Sequence, residues 1–475
     1  MSKRTKIIAT IGPASSSAPT IAKLIRAGMD AARLNFSHGE RKDHVLRIRL
    51  IRSEAARAGR PVAIIQDLQG PKLRVGVMKD DAVTLKRGGT VTVTTKKIIG
   101  TAGSFSVTYP RLTKDLTTGD TILLDDGRLE LRVAGKNIRG LSCRVQRGGV
   151  LGSHKGINLP GARLTLPSLS EKDREDLRFG VKQGVDYIAL SFVRTADDII
   201  RTRRFIRLLR ADIPIIAKIE KPEAIANLDE IIRAADGIMV ARGDLGVEMP
   251  PEQVPLLQKR IIEACHWEEK PVITATQMLE SMIENPQPTR AEASDVANAI
   301  LDGTDCVMLS GETAVGKYPV QSVEFMARIA KQAETSVNPW PPDEDVSGPD
   351  ESVAHAACRA AQEQCANAIV TFTQSGSTAL LVSKHRPRMS IIAPTPFEHV
   401  ARKISLYWGV SPVILRPKKT TDDMITSVER IMLNKKLAKP HDIIVITAGV
   451  PIGVAGSTNM MKIHRVGEVK GLESK

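Results

Sequence analysis

Glu220 and Asp244 stand close behind two short apolar runs, 215–219 and 237–241. If those runs are neighbouring parallel strands, the two acids open onto one rim and can share a divalent ion. Mg2+ suits such a pair, because it keeps water and substrate oxygens in its remaining positions. Lys218 lies two residues before Glu220, one strand repeat, so it points the same way and sets a cation beside the ion. Arg242-Gly-Asp-Leu-Gly246 adds two glycines, where backbone N–H groups can approach an anion closely. A metal, a lysine and an arginine around one point are the equipment of phosphoryl transfer, in which charge neutralisation does most of the work.

Such groups need a frame that brings strand ends together. Eight apolar runs punctuate the chain: 7–11, 31–35, 62–67, 187–192, 215–219, 237–241, 272–275 and 306–309. Helical stretches such as 170–183 and 255–268 lie between several of them, the first opened by Ser170-Glu-Lys-Asp173, a cap residue followed by first-turn acids. This rhythm predicts an α/β chain built on a (β/α)8 TIM barrel. Catalytic groups of such barrels sit at the C-terminal strand ends. Here those ends carry Arg33, Asn35, Ser37 and His38; Asp67; Ser191; Lys218 and Glu220; Arg242 and Asp244; Thr276; and Ser310 with Glu312. Taken singly, Lys218 with Glu220 reads as a surface ion pair, Asp67 as a turn residue and Thr276 as a helix cap. Taken together, on a ring of separate strands, they read as a site.

The barrel rhythm breaks once. Segments 83–85, 90–95, 121–124 and 129–133 alternate with the two-residue period of strands, and Asp126-Gly127 marks a hairpin turn between the last two. We expect an inserted all-β lid domain over 72–165, between barrel parts 1–71 and 166–338. A Pro-, Gly- and acid-rich linker over 339–350 leads to a C-terminal α/β domain, 351–475, with strands near 368–373, 390–393, 410–415, 443–447 and 461–466.

The chain carries 68 Lys and Arg against 53 Asp and Glu, a net charge of +15, which points to anionic partners. The surplus is local: 17 basic against 7 acidic residues fall within 72–165. Aromatic residues make up only 3%, too few for a base-stacking nucleic-acid binder. The longest apolar run, 443–456, is too short for a bilayer and is interrupted by Gly449, Pro451 and Gly453. Neither a membrane span nor a signal peptide is expected. The five cysteines form no C-x-x-C pair, which fits a reducing cytoplasm. Gly311-Glu-Thr-Ala-Val-Gly-Lys317 imitates a P-loop, but Tyr318 stands where the metal-binding hydroxyl is needed.

Five segments now converge: Ala32-Arg-Leu-Asn-Phe-Ser-His-Gly39, Ile216-Ala-Lys-Ile-Glu-Lys-Pro-Glu223, Met239-Val-Ala-Arg-Gly-Asp-Leu-Gly-Val-Glu248, Ala275-Thr-Gln-Met-Leu-Glu-Ser-Met282 and Met308-Leu-Ser-Gly-Glu-Thr-Ala314. In order and over nearly the whole length, they resemble pyruvate kinase. The resemblance implies phosphoryl transfer from phosphoenolpyruvate to ADP, with protonation of the enolate to pyruvate. It implies that Lys218 stabilises the transferring phosphoryl and the enolate oxygen, that Glu220 and Asp244 ligate Mg2+, and that Arg33 holds the phosphoryl group. Backbone around Ala241, Arg242, Gly243 and Asp244, with Thr276, would grip the carboxylate, Thr276 lying near the carbon that takes the proton. Asn35, His38 and Arg74 are nucleotide candidates, and Lys155 joins them from its place in the basic lid. A homotetramer is implied as well. A lyase acting on phosphoenolpyruvate or pyruvate with Mg2+ is the alternative, but it leaves the basic lid unexplained.

One departure is informative. Asn35, Ser37 and Asp67 match the family's ligands for a monovalent cation, yet Asp67-Leu-Gln-Gly-Pro-Lys72 has Leu68 in place of a hydroxyl and Lys72 in place of an acid. An ammonium can stand in for a compact cation, so activity without K+ is expected. In the C-terminal domain, Thr373-Gln-Ser-Gly-Ser-Thr378 sets Ser375, Gly376, Ser377 and the two threonines at a helix start, a phosphate cradle. In some family members this position receives a sugar-phosphate effector. A nucleotide effector or a plain helix cap are the other readings.

Overall fold

The computed structural model describes residues 3–162, 167–337, 348–418, 420–450 and 458–468. Eight parallel strands close into a barrel: Lys6–Thr10, Met29–Asn35, Ala63–Asp67, Tyr187–Leu190, Ile215–Ile219, Gly237–Ala241, Val272–Ala275 and Cys306–Leu309. They follow one another around the barrel in chain order, and the first pairs with the eighth. Each falls within two residues of the run expected from sequence. The runs read as continuous apolar stretches because helices and interior packing bury both faces of a parallel sheet. Every residue of strands Ile215–Ile219 and Gly237–Ala241 is buried.

The N-terminal rim of the barrel repeats one device four times. Asp30, Asp186, Asp236 and Asp305 sit at the starts of alternate strands. Their carboxylates accept the N–H groups of Ile7 (2.9 Å), Ile64 (2.8 Å), Ile215 (2.8 Å) and Val272 (2.8 Å), at the starts of the preceding strands. Three of the four are written Gly-x-Asp, with Gly28, Gly184 and Gly303 at φ 120°, 67° and 98° ending the helix before the strand. Each aspartate thereby fixes the register of two strands at their entry.

By contacts the chain divides into two compact units, one of 1–66, 183–188 and 262–475, the other of 67–182 and 189–261. The second unit contains the β-rich insertion. Its six-stranded sheet runs Ile157–Asn158, Thr121–Leu124, Leu129–Asn137, Gly140–Arg147, Thr90–Thr94 and Ser104–Ser106 from edge to edge, and Gly149–Gly152 pairs with Ala82–Leu85 beside it. Four of these strands were not expected. In Gly140–Arg147, Leu141, Cys143 and Val145 do alternate inward, but glycine, serine and arginine between them dilute the signal. The expected hairpin forms, with Leu124 opposite Leu129 across a loop whose Asp125, Asp126 and Gly127 all adopt positive φ. Ser170 caps helix Glu171–Gln183 as anticipated: its hydroxyl accepts the Asp173 N–H at 3.2 Å, and the Asp173 carboxylate accepts the Ser170 N–H at 3.0 Å.

The first unit contains the C-terminal five-stranded sheet, ordered Val410–Ile414, Ser390–Thr395, Ala368–Thr371, Ile443–Gly449 and Thr458–Arg465, with only the last strand antiparallel. Most of the expected linker 339–350 and residues 451–457 lie outside the described residues, as does Leu166, where the barrel was expected to resume. Among the described residues, no helix is long and apolar enough to cross a membrane.

Leu131 is fully buried among Val91, Phe105, Ile122 and Val145 in the insertion's core. Leu131→Ala is expected to cost about 2–5 kcal/mol. Hydrogen exchange should show amides of 72–162 losing protection before those of the barrel strands.

Candidate active site

Four side chains of the second unit meet at the C-terminal ends of the third, fourth and fifth barrel strands. The Lys218 ammonium lies 2.8 Å from Glu220 Oε1, 3.3 Å from Asp67 Oδ1 and 2.8 Å from Ser191 Oγ. Ser191 donates its own proton to the Leu68 carbonyl at 2.7 Å, which leaves its lone pairs for the lysine. Lys218, Glu220 and Asp67 are 8, 2 and 1% exposed, so this is not a surface ion pair. A charge held so far from water needs opposite charge and hydrogen bonds around it.

The second Glu220 oxygen accepts the Phe192 N–H at 2.8 Å. Phe192 reaches that position at φ 56°, an uncommon conformation for a bulky residue. Gly70 explains how the ring fits: it adopts φ 69°, and a β-carbon there would lie 2.6 Å from the Phe192 ring. Asp173 closes the same corner by accepting the Gly70 N–H at 3.1 Å. Sequence reasoning found Ser191 but not the Phe192 N–H or the Gly70 constraint, because backbone donors carry no residue-type signal.

Burial raises the Glu220 carboxyl above its ordinary pKa, and Asp244 raises it further, while Lys218 and the Phe192 N–H pull it back. Two carboxylates that repel each other through a partly dry space make a donor set that a hard divalent cation would satisfy. The pair therefore fits the metal expected of it. Lys72 also joins this group. Desolvation lowers its pKa, as do Arg74 and Lys218, while Asp244 and Asp126 raise it. Its ammonium thus stands among the charges of the site. Of the nucleotide candidates in this unit, Arg74 donates to the His154 carbonyl at 3.0 Å, and Lys155 lies 2.9 Å from Asp125.

The first unit holds the remaining strand ends. Arg33 donates to Thr10 Oγ1 at 3.1 Å, and Thr10 in turn donates to the Leu309 carbonyl, a support that sequence reasoning did not include. Asn35 Oδ1 accepts the Ser37 N–H at 3.0 Å, and the His38 carbonyl lies 3.1 Å from His44 Nε2, whose ring stacks on Phe36. Beyond the seventh strand, Thr276 and Gln277 both take positive φ, 71° and 53°. Buried Glu312 holds the turn that follows, accepting the Leu279 N–H at 3.0 Å and the Ser310 N–H at 2.7 Å. The P-loop imitation dissolves here: Gly311–Ala314 is a short helix after the eighth strand, and Lys317 pairs with exposed Glu284.

In the C-terminal sheet, Thr373 Oγ1 accepts the Gly376 N–H at 2.9 Å, and Ser375 and Ser377 hydroxyls lie 3.1 Å apart where helix Ser377–Lys384 begins. Gly376 at φ 96° leaves no room for a β-carbon beside Ile404. Thr378 shares a 2.6 Å hydrogen bond with Thr458.

Comparison with known proteins agrees with this arrangement. The family described as pyruvate kinase, barrel domain, matches residues 2–323, and pyruvate kinase, alpha/beta domain, matches 351–464. The chain is 47% identical over 477 residues to a pyruvate kinase of Geobacillus stearothermophilus, covering 99% of this chain and 81% of that one. It is 48% identical over 479 residues to a pyruvate kinase of Staphylococcus aureus, covering 98% and 81%. The crystal structure of a pyruvate kinase from Cryptosporidium parvum superposes with a TM-score of 0.92 at 39% identity, covering 98% of this chain and 96% of that one.

The Glu312 anchor gives a direct test. Glu312→Leu leaves two backbone N–H groups without their acceptor, at roughly 1–3 kcal/mol each. The denaturation midpoint should fall accordingly, with the largest gain in hydrogen exchange at 276–282.

Proposed function

This chain is a member of the pyruvate kinase family, and from that premise we propose that it moves the phosphoryl group of phosphoenolpyruvate to ADP, leaving pyruvate and ATP. The observation that carries the reading is Lys218, buried between Glu220 and Asp67 with its ammonium at the strand ends. Before reaction the carboxylates hold that charge in place. During transfer, negative charge spreads over the phosphoryl oxygens and then over the enolate, and a preorganised ammonium stabilises both without rearranging. Arg33, steadied by Thr10, holds the phosphoryl group. The backbone at Ala241–Asp244, with Arg242 and Gly243, binds the carboxylate together with Thr276. Thr276 also orients the proton delivered to the enolate carbon, directly or through one water. Asn35, His38, Arg74 and Lys155 take the nucleotide. Glu220 and Asp244 are the residues that would hold Mg2+, which supplies charge neutralisation at the phosphoryl oxygens when bound.

Lys72 supports a second element of the reading, activity without K+. Its ammonium feels Asp244, Asp126, Arg74 and Lys218, and its positive charge would take the place of a monovalent cation beside Asp244. The residue types Asn35, Ser37 and Asp67 are those of the family's cation ligands, but Leu68 offers no hydroxyl. The domain limits 1–71, 72–165, 166–338 and 351–475, a cytoplasmic location and a homotetrameric assembly complete the proposal. The cradle Thr373–Thr378 is assigned to a sugar-phosphate effector, its clustered hydroxyls and N–H groups suiting a dianion.

Pyruvate release from phosphoenolpyruvate and Mg2+ should require ADP. Rates in potassium-free buffer and in KCl should agree within about tenfold, a difference of ~1.4 kcal/mol in barrier. ADP-independent pyruvate would point to the lyase, and a larger KCl effect would remove the role given to Lys72. Ser375→Asp places a carboxylate in the cradle and should abolish activation by fructose 1,6-bisphosphate or glucose 6-phosphate. Activation surviving in that variant would take the effector assignment away.

A further inference from the structure

The rim aspartates differ in what else they hold. Asp236 is paired with Arg203, which also donates to the Ala234 carbonyl, so its partners all lie in the barrel segment. Asp305 takes Lys384 and Arg386, both at 2.9 Å, from beyond the linker. Asp186 is divided. Its Oδ2 accepts the Ile64 N–H at 2.8 Å and lies 2.7 Å from Arg52, while its Oδ1 lies 2.8 Å from Arg402 Nε.

Arg402 belongs to the six-residue helix Glu398–Lys403, and that helix grips the same strand twice. Tyr187, the next residue after Asp186, donates its phenol to the Lys403 carbonyl at 2.9 Å. Lys403 then extends its ammonium to the Ser375 carbonyl at 3.3 Å, inside the cradle loop. Ser405, just past the helix, donates to the Arg402 carbonyl at 2.6 Å and contacts the Asp30 carbonyl at 3.3 Å. One short helix is therefore tied to the cradle backbone at one side and to the entry of the fourth barrel strand at the other.

What that strand carries at its exit makes the tie consequential. Tyr187–Leu190 is only four residues long and buried throughout. A strand of this kind has no slack, so a displacement at its entry is passed along its axis. It is followed by Ser191, whose hydroxyl receives the Lys218 ammonium, and by Phe192, whose N–H fixes Glu220. The strand behind Asp305 ends instead at Ser310, whose N–H goes to Glu312 and not to the lysine cluster.

We propose that Arg402 is a positioning residue for phosphoryl transfer: through Asp186 it sets the fourth strand, and thereby the Ser191 and Phe192 groups that hold Lys218 and Glu220, while Lys403 links the same helix to the cradle loop. The inference rests on the phosphotransferase reading above. It gives the C-terminal segment a part in the chemistry even when no effector is bound.

The test compares Arg402→Met, which keeps the packed chain but loses the charge, with Arg402→Lys and with Lys384→Met as a control that disturbs the Asp305 contact instead. In the full-length protein without effector, Arg402→Met should lower kcat roughly three- to thirtyfold with KM for ADP little changed, the scale of coupling carried by a rigid element. Arg402→Lys should recover most of the loss, and Lys384→Met should lower the unfolding temperature without a matching loss of kcat. An Arg402→Met enzyme with kcat within twofold of the original overturns the proposal, as does an equal kcat loss in Lys384→Met. Hydrogen exchange on the same variants separates this from the enzymatic reading. Amides of 187–193 should exchange roughly tenfold faster in Arg402→Met, and unchanged exchange there refutes the tie even if the protein makes no pyruvate at all. Where fructose 1,6-bisphosphate activates the original protein, Arg402→Met should still bind it but respond less; an undiminished response counts against the tie.

Discussion

A lysine ammonium removed from water is the constraint around which this protein is organised. Asp67, Glu220 and Ser191 converge on the buried Lys218 ammonium from three different strands. Isolated burial of such a charge is prohibitive, and pairing it with a single carboxylate seldom recovers the lost hydration. Two carboxylates and a hydroxyl around one ammonium need three chain segments at one height. A closed parallel barrel delivers that, since all its strands exit on the same rim. Unusual local features accompany it: Phe192 donates its N–H to Glu220 while at positive φ, and Gly70 lacks a side chain so that the ring has somewhere to lie.

The same electrostatics explain the basic insertion. Glu220, Asp244 and Asp67 gather negative charge at the rim, and substrates of phosphoryl transfer bring more. Lys72 and Arg74 stand where the chain leaves the barrel for the insertion, and Lys72 feels Asp244 and Lys218 directly. In the proposed reading, the surplus of arginine and lysine in that segment would draw phosphorylated ligands toward the rim and balance their charge. The sheet beneath is held by its own apolar core, Val91, Phe105, Leu131 and Cys143 among others, so its charged outer positions are free to serve this purpose.

The barrel strands were legible because burial on both faces leaves uninterrupted apolar runs, and the cluster of Lys218, Glu220, Asp67 and Ser191 was legible because polar residues break those runs at the rim. Lys218, Glu220 and Asp67 could be named from spacing alone. The Phe192 N–H could not, since any residue other than proline supplies an N–H and only the fold aims it. Thr10 was missed for another reason: it ends strand Lys6–Thr10 but lay inside the expected run 7–11, where a threonine reads as an ordinary β-former. In the insertion, Leu129–Asn137 was seen only as far as Val133, because the sheet continues through Gly135 and Lys136, residues that weaken any strand pattern.

The rim aspartates were present in the sequence as Gly28-Met-Asp30, Gly184-Val-Asp186 and Gly303-Thr-Asp305, yet the spacing between copies exceeds a hundred residues and hides the repeat. A barrel is usually read with its N-terminal rim serving stability and its C-terminal rim serving chemistry. A strand has two ends, and here the fourth strand has charged or polar contacts at both. Asp186 and Tyr187 take hold of Arg402 and the Lys403 carbonyl, and four residues later Ser191 takes hold of the lysine. The role proposed for Arg402 would join the two faces of the barrel through this one strand. On the proposal made for Arg402, a residue that pins a short, buried strand at its entry positions the groups at its exit.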